Sequence, residues 1–320
     1  MAGVSGKLAT LKIGKQTAKG TPAASATYGL KFVGGNLEPR RQMIALAESD
    51  STLQQGKSLV VSEHVEGSTE HYVRPDDFGL LAYLFAGANA SSGTTNYTHT
   101  ATIAASQLYA TAWKNLGSGA LIDKYSDLRL AGLHVRGQAG GALTCTCDWM
   151  GLVAAFGATD DPIAVVSQDP LVYPQVTVTK AGSAPGTVES FEIDLVRNTQ
   201  MIQADKQLAP YDTVTGEVQV SGSITMLFES DSDYRKFHTA AAAGTAVSQT
   251  MFAEALNIKA EVNTNLSVAF DFASVAYQEY PVGPNPGGDA IRVVLGFRSQ
   301  PAAAVADYLE IITKNAVASY

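Results

Sequence analysis

Cys145 and Cys147 are the first residues to consider for chemistry, because they are the only two thiols in a chain of 320 residues. They alternate with Thr144, Thr146 and Asp148, a period-two pattern typical of a β-strand. Residues i and i+2 of a strand lie on one face with parallel side chains, which is a poor geometry for a disulfide. Neither cysteine has a neighbouring histidine in sequence that would suggest a zinc site. We predict that both fill the core as small apolar side chains.

The histidines and glycine-rich segments do not form a recognisable catalytic motif. The sequence contains no HExxH or HxH pair, no GxSxG elbow and no GxxxxGK[ST] loop. The glycine-rich stretch at 137–141 is followed by a strand pattern, so it lacks the helix N-terminus that would hold a phosphate, and we predict a turn. Surface or packing roles are expected for the five histidines, which are His64, His71, His99, His134 and His238.

Three acidic pairs could in principle bind calcium or act in acid–base catalysis. They are Asp76/Asp77, Asp160/Asp161 and Asp231/Asp233. None fits the calcium-loop motif, and two of them precede helix patterns, where negative charge and capping oxygens are favourable. The sequence therefore predicts no catalytic, metal-binding or cofactor-binding residues, and we do not expect an enzyme.

Composition narrows the class of protein further. The formal net charge is −8, which argues against a protein that reads nucleic acid through clustered Lys and Arg. Only 16% of residues are charged while 46% are hydrophobic, a balance that favours burial of surface against other subunits. No apolar run reaches the roughly 18 residues needed to span a bilayer, and no signal-peptide pattern is visible. We expect no membrane anchor and synthesis in a cytoplasm.

Strand patterns dominate the elements that must position any site. Residues 8–13, 128–147, 214–228 and 256–272 alternate apolar and polar residues, and two of these stretches read as hairpins. Only residues 76–85 and 231–238 read as helices, each beginning at an aspartate. Residues 307–313 fit a helical turn or a strand equally well. The sequence therefore predicts a mainly antiparallel, all-β fold with short flanking helices.

An ordered repeat divides the chain. Residues 65–68 read Val-Glu-Gly-Ser and residues 220–223 read Val-Ser-Gly-Ser, and in both places an aspartate follows nine residues after the glycine. Upstream, residues 36–44 match residues 194–202, and downstream the hairpin at 128–147 matches that at 256–272. We therefore predict two tandem β-sandwich modules, residues 1–165 and 166–320, joined by a linker at about 155–185.

This ordered set of elements resembles the major tail tube protein of long-tailed, siphovirus-type bacteriophages. Residues 11–22 are similar to the family's opening strand and loop, with Ala18 and Lys19 where a tryptophan is frequent. Residues 65–87 are similar to its glycine-containing strand followed by a proline-led helix. Residues 125–151 are similar to its central hairpin. The resemblance covers most of the chain and implies a structural protein of the phage virion.

The resemblance also implies how copies assemble. Subunits of the family join side by side so that their inner sheets close into one β-barrel, and the rings stack through long loops. Residues 38–63, polar and poor in strand signals, are the expected stacking loop, and residues 203–213 are its shorter counterpart. Other copies, tail proteins at the tube ends and genomic DNA passing without sequence-specific binding are the expected partners. An acidic lumen would keep that DNA mobile.

Two modules per chain change the expected count of subunits. Most tail tube rings contain six single-module subunits, so three duplicated chains would form a trimer with pseudo-sixfold symmetry. A hexamer of whole chains is the alternative. Other virion β-sandwich proteins, such as a tail terminator, a distal tail ring or a capsid decoration protein, remain open. An all-β hydrolase is disfavoured because no aromatic-rich cleft pattern accompanies paired carboxylates.

Overall fold

Antiparallel strands make up most of the molecule, as the alternating sequence predicts. The computed structural model describes residues 6–47, 56–117, 121–283, 290–301 and 308–320. In chain order the strands are β1 (Thr10–Lys15), β2 (Tyr28–Leu30), β3 (Phe32–Gly35), β4 (Glu38–Ala45), β5 (Ser58–Tyr72), β6 (Gly87–Gly93), β7 (Tyr97–Ile103), β8 (Ala110–Asn115), β9 (Ile122–Gln138), β10 (Thr144–Gly151), β11 (Val153–Phe156), β12 (Val176–Lys180), β13 (Val188–Ile202), β14 (Asp212–Leu227), β15 (Ala253–Asn263), β16 (Leu266–Glu279), β17 (Arg292–Ser299) and β18 (Glu310–Asn315).

Two α-helices confirm the two helix predictions. They are α1 (Pro75–Ala86) and α2 (Ser232–Thr239), and short 3-10 turns lie at Gly6–Leu8 and Tyr173–Gln175. Helix α1 begins at a proline, whose fixed φ suits a first helical position, and ends at Gly87 with φ 94°. The ambiguous C-terminal segment forms the strand β18, although residue 307 lies outside the described residues.

Eight strands form a continuous central sheet in the order β4–β5–β10–β9–β13–β14–β17–β16. Every neighbouring pair is antiparallel. The pairing of β9 with β13 joins the two halves of the chain, from Ser190 opposite Gln138 to Val196 opposite Gly132. Strand β3 extends the β4 side by pairing with the end of β5.

Two side sheets pack against the central sheet and share its long strands β9 and β16. The first has the order β2–β1–β8–β9–β11. The second has the order β12–β15–β16–β18–β7–β6. Apolar side chains between the layers form one core cluster that includes Trp149, Tyr125, Phe272 and Phe297.

Strand pairings in the second half follow the same order as in the first. β1–β8–β9–β11 corresponds to β12–β15–β16–β18, and β5–β10–β9 corresponds to β14–β17–β16. Two register shifts recur as well. The β8–β9 ladder skips between Ala110 and Ala112, and the β15–β16 ladder skips between Glu254 and Leu256. The β9–β10 and β16–β17 ladders each leave one residue of the long strand unpaired, after Leu130 and Tyr277.

The repeated glycine has a packing reason in both places. Gly67 has φ 148°, and a Cβ there would lie 2.7 Å from the Cα of Leu37. A Cβ on Gly222 would lie 2.5 Å from the ring of Phe297. Each glycine therefore lets a neighbouring strand or a core aromatic ring approach the backbone closely.

Three details of the sequence-based assignment are wrong. The 38–63 segment is not a loop, because β4 and β5 pair along it with Met43 opposite Val60 and Ile44 opposite Leu59; only its residues 48–55 lie outside the described residues. By its pairing partners the β9–β10 hairpin corresponds to β16–β17, so its match to residues 256–272 is incorrect. Leu8 lies in a 3-10 turn with 64% of its surface exposed.

Candidate assembly surface

The open face of the central sheet carries most of its charged groups. Side chains on one face pack into the core, and alternate residues project from the other face. Acidic side chains on the open face are Glu38, Glu66, Glu70, Asp148, Glu192, Asp194 and Glu279. Arginines on it are Arg40, Arg129, Arg136, Arg292 and Arg298. Carboxylates thus outnumber guanidinium groups, and the face is broad rather than cleft-like.

His134 connects three strands on this face. Its Nδ1 lies 2.6 Å from a carboxylate oxygen of Asp194 on β13, and its Nε2 lies 3.0 Å from one of Asp148 on β10. The hydrogen bond to Asp148, reinforced by that to Asp194, raises the pKa of His134 to about 8, although partial burial opposes the charged form. A second ion pair, Arg136 with Glu192, crosses the same β9–β13 junction. Ion pairs as well as backbone hydrogen bonds therefore cross the junction between the two halves.

Arg197 joins β13 to the end of helix α1. Its side chain is buried, donates to the carbonyl oxygen of Ala86 at 2.6 Å and to that of Ala104 at 3.2 Å, and lies over the Phe85 ring. A cation is favourable at a helix C-terminus, where the last carbonyls lack helical partners. Burial lowers the pKa of Arg197 to about 10, so the guanidinium stays charged at neutral pH. The second half of the chain thus completes a helix of the first half.

The C-terminal strand covers the same helix from another side. β18 pairs with β7, from Glu310 opposite Thr102 to Asn315 opposite Tyr97. The Tyr320 hydroxyl lies 2.9 Å from the carbonyl of Asp76, and Phe78 packs edge-to-face on Phe270. As a result, ten of the twelve residues of α1 are buried, whereas α2 has no buried residue. The second half of the chain therefore covers α1, and α2 has no equivalent cover among the described residues.

Two edges of the central sheet lie at its ends. β4 pairs only with β5 among the described residues, and its outer edge begins at Glu38. At the other end, β16 pairs with β17 as far as Glu279, and on its opposite side it pairs with β15 as far as Ala276, so only its last three residues form an edge there. An edge strand presents N–H and C=O groups that can pair with another chain. These edges are candidates for contact with a second molecule.

The hairpin tips are apolar and exposed. Met43, Ile44, Leu59 and Val60 at the β4–β5 tip each expose 40% or more of their surface. At the β13–β14 tip the exposed apolar residues are Ile202, Leu208, Tyr211 and Val214. The tips meet, because the backbone N–H of Glu63 donates to the carbonyl of Leu208 at 2.9 Å. Exposed apolar clusters of this kind mark interaction surfaces.

The two cysteines, the glycine-rich stretch and two of the histidines considered for chemistry have structural roles. Cys145 and Cys147 are both buried and free on the core side of β10, as predicted. Residues 139–141 form the turn between β9 and β10, as predicted, while residues 137 and 138 are the end of β9. His71 is buried with its Nε2 2.9 Å from the Thr69 hydroxyl, and its pKa is lowered to about 4 by burial. His99 bonds to Ser91 and to the carbonyl of Val317.

The acidic pairs act differently from simple caps. Asp76 and Asp77 lie in the first turn of α1, where the sequence predicted negative charge, but the N-cap residue is Arg74 and makes no side-chain capping bond. Burial raises the pKa of Asp77 to about 7. Asp231 is the N-cap of α2 but also makes no capping bond, because its carboxylate accepts from Arg235 at 2.7 Å. The remaining acids are also partnered: Asp160 with Lys12, Asp161 with the N–H of Ala26, and Asp233 with Lys180.

The described residues show neither a metal-binding cluster nor a membrane-spanning helix. Within the described ranges no group of three or more His, Cys, Asp or Glu side chains is placed to hold a metal ion. Nor does any helix there have the length and apolar character to cross a membrane. Sequence reasoning missed His134 and Arg197 as junction residues, because their partners lie on other elements up to 111 residues away.

Comparison with known proteins agrees with this assembly-like surface. A family model described as phage tail tube protein matches residues 6–299, nearly the whole chain. No curated protein matches the sequence. With an all-β fold, a sheet open at both ends and this match over its length, the chain belongs to the phage tail tube protein family.

Proposed function

We propose that the chain assembles with copies of itself into stacked rings that form the tube of a long-tailed phage, the conduit for genome ejection. Membership of the tail tube family makes it a structural protein of the virion tail and suggests a non-enzyme. The observation that carries the proposal is the central sheet, which continues across the β9–β13 junction and ends in two edges. Repeating that junction between chains would close the sheet into a barrel and remove the edges.

Two tandem modules per chain are the second part of the proposal. Support comes from the shared order of strand pairs and from the two register shifts at matching places in both halves. A β-bulge is a local, heritable feature, so the same irregularity at the same place favours duplication over chance. The hairpin β6–β7 has no counterpart between α2 and β15, and it would be an insertion in the first module.

Three chains per ring then give a barrel of suitable width. Each chain supplies the eight strands of its central sheet, so three chains supply 24. Strands spaced about 4.8 Å apart and tilted by about 40° give such a barrel a radius of roughly 24 Å. That radius leaves room for side chains and for a DNA duplex.

The open face of the central sheet would line this tube. The helices and side sheets lie on the other face, so closure places the charged face inward. Seven carboxylates against five arginines and the protonated His134 make that face acidic on balance. Repulsion between carboxylates and phosphates would let DNA pass without stable binding. The exposed apolar tips of the β4–β5 and β13–β14 hairpins are suited to contacts between stacked rings.

Negative-stain electron microscopy of the purified chain at rising concentration tests the assignment. Rings that stack into hollow tubes are expected. Rings that never stack would favour a tail terminator or distal ring protein, and unassembled particles that bind capsids would favour a decoration protein. Either result would overturn the tube assignment.

A further inference from the structure

The β9–β13 junction inside one chain predicts which residues would meet at a junction between two chains. This inference rests on the proposed ring of tandem modules. Within the chain, β13 pairs with β9, and Arg197 of β13 reaches the C-terminal carbonyl of α1. If neighbouring copies repeat this junction, the start of β4 in one copy would pair with the end of β16 at Glu279 in the next, and a residue of β4 would reach the end of α2.

The repeated glycines fix which residues correspond in the two β-hairpins. Ser221, which precedes Gly222, pairs with Asp194, and Glu66, which precedes Gly67, pairs with Glu38. Three residues beyond Asp194 is Arg197, and three residues beyond Glu38 is Arg41. Arg41 is therefore the counterpart of Arg197, and by the same count Arg40 is the counterpart of Val196. The match of residues 36–44 to residues 194–202 made from the sequence is thus two residues out of register.

The matching bulges fix the correspondence in the other strand. Across the bulge from Trp149, Asp148 pairs with Gly132. Across the matching bulge from Phe297, Gly296 pairs with Glu279. Glu279 is therefore the counterpart of Gly132. Because Val196 pairs with Gly132 inside the chain, Arg40 of one copy would lie directly opposite Glu279 of the next.

Charge and exposure agree with this register. Arg40 and Glu279 carry opposite charges and project from the same open face of the central sheet. The Arg41 side chain is 59% exposed and pairs with Glu63 in the single chain, whereas the Arg197 side chain is buried. Pro39 lies between Glu38 and Arg40 and has no N–H. In the proposed ladder between copies, its rung would therefore contain at most one hydrogen bond.

The uncovered helix gives independent support. β18 contacts α1, and the first-module counterpart of β18 is β11, as both pair with the long strand of their own side sheet. Phe156 at the end of β11 is 59% exposed, while Ile311 of β18 is fully buried. Helix α2 has no buried residue. An exposed aromatic residue is thus left at the position that Ile311 fills, and α2 is only partly buried, with Phe237 against the core, where α1 is almost fully buried.

We propose that the start of β4 of one copy pairs with the end of β16 of the next, with Arg40 facing Glu279 and Arg41 capping the C-terminus of α2 at the Thr239 carbonyl. The partner is a second copy of this chain. In that arrangement Arg41 leaves Glu63 and takes the role that Arg197 has for α1. Phe156 covers α2 as β18 covers α1.

Disulfide trapping tests the register. Residues directly opposite in an antiparallel pair have Cα atoms about 4.5–5.5 Å apart, within disulfide range. The double variant Arg40→Cys/Glu279→Cys, assembled and then oxidised, should give covalent multimers on a non-reducing denaturing gel. The mismatched variant Arg40→Cys/Val282→Cys is the matched control and should give at least about ten-fold less, because Val282 lies three residues out of register. The native thiols are buried in both variants.

The Arg41 cap has a separate readout. Arg41→Ala should raise the concentration needed for half-assembly at least about ten-fold, since buried charged contacts are costly to remove at interfaces. Arg136→Ala removes an exposed pair that lies within one chain, and it should change this concentration less than about three-fold. Rings of normal appearance with equal trapping in both cysteine pairs, or an unchanged Arg41→Ala, would overturn this interface while leaving the tube intact. Absence of rings from the unmodified chain would instead overturn the proposed function.

Discussion

His134 is the residue at which electrostatics and the joining of the two halves meet. Its folded-state pKa of about 8 is above the ordinary value of 6.5. The protonated form therefore stabilises the fold fully below about pH 6.5, and this contribution disappears as the pH rises through 8. Because Asp148 is half-exposed, solvent screening reduces the contribution to about 1 kcal/mol.

We expect His134→Gln to lower the melting temperature at pH 6 and to have little effect at pH 9. Thermal unfolding followed by circular dichroism at both pH values measures the difference. The unmodified chain at pH 9 serves as the reference, because its histidine is already neutral there. An equal loss at the two pH values would mean that His134 acts through packing alone.

At the scale of elements, Arg197 shows how one half of the chain completes the other. Its guanidinium is buried against the C-terminus of α1 and bonds to two carbonyls. Arg197→Met keeps the length and the apolar stem but leaves those carbonyls without this donor. We expect a loss of about 2–4 kcal/mol in the free energy of unfolding, measured by urea denaturation.

Arg136→Met is the matched control for that prediction. It removes an exposed arginine of the same junction, and we expect a change within about 0.5 kcal/mol. Comparable losses for the two variants would contradict the special role given to the helix end.

How far the elements could be predicted depends on the range of the interactions that form them. The β9–β10 and β15–β16 hairpins follow from local alternation, α1 from Pro75 and Gly87, and α2 from Asp231 at its start. The β4–β5 hairpin was missed because its strand-forming residues, Val60 among them, lie between polar segments. The correspondence of β9–β10 with β16–β17 was missed because it depends on strand partners and bulges, which leave no pattern in the sequence.

The candidate surface was predictable to a smaller extent. Burial of Cys145 and Cys147 followed from alternation alone. The pairing of β7 with β18 joins residues more than 200 positions apart, and nothing local in either strand specifies its partner. The contacts of His134 and Arg197 likewise exist only once β13 has paired with β9.

At the scale of the whole molecule, the number of modules in one chain decides how many chains would close a ring. Tail tube membership follows from the match over residues 6–299, and the all-β fold follows from the strands. The number of chains in a ring depends on the proposal that one chain holds two modules. The β9–β13 junction lies inside the chain, and the proposed ring would alternate it with similar junctions between chains.

Cryo-electron microscopy of assembled rings tests that central claim most directly. We predict three chains in each ring, a continuous barrel of 24 strands and pseudo-sixfold symmetry in which covalent and intermolecular junctions alternate. A ring of six whole chains with true sixfold symmetry would contradict it.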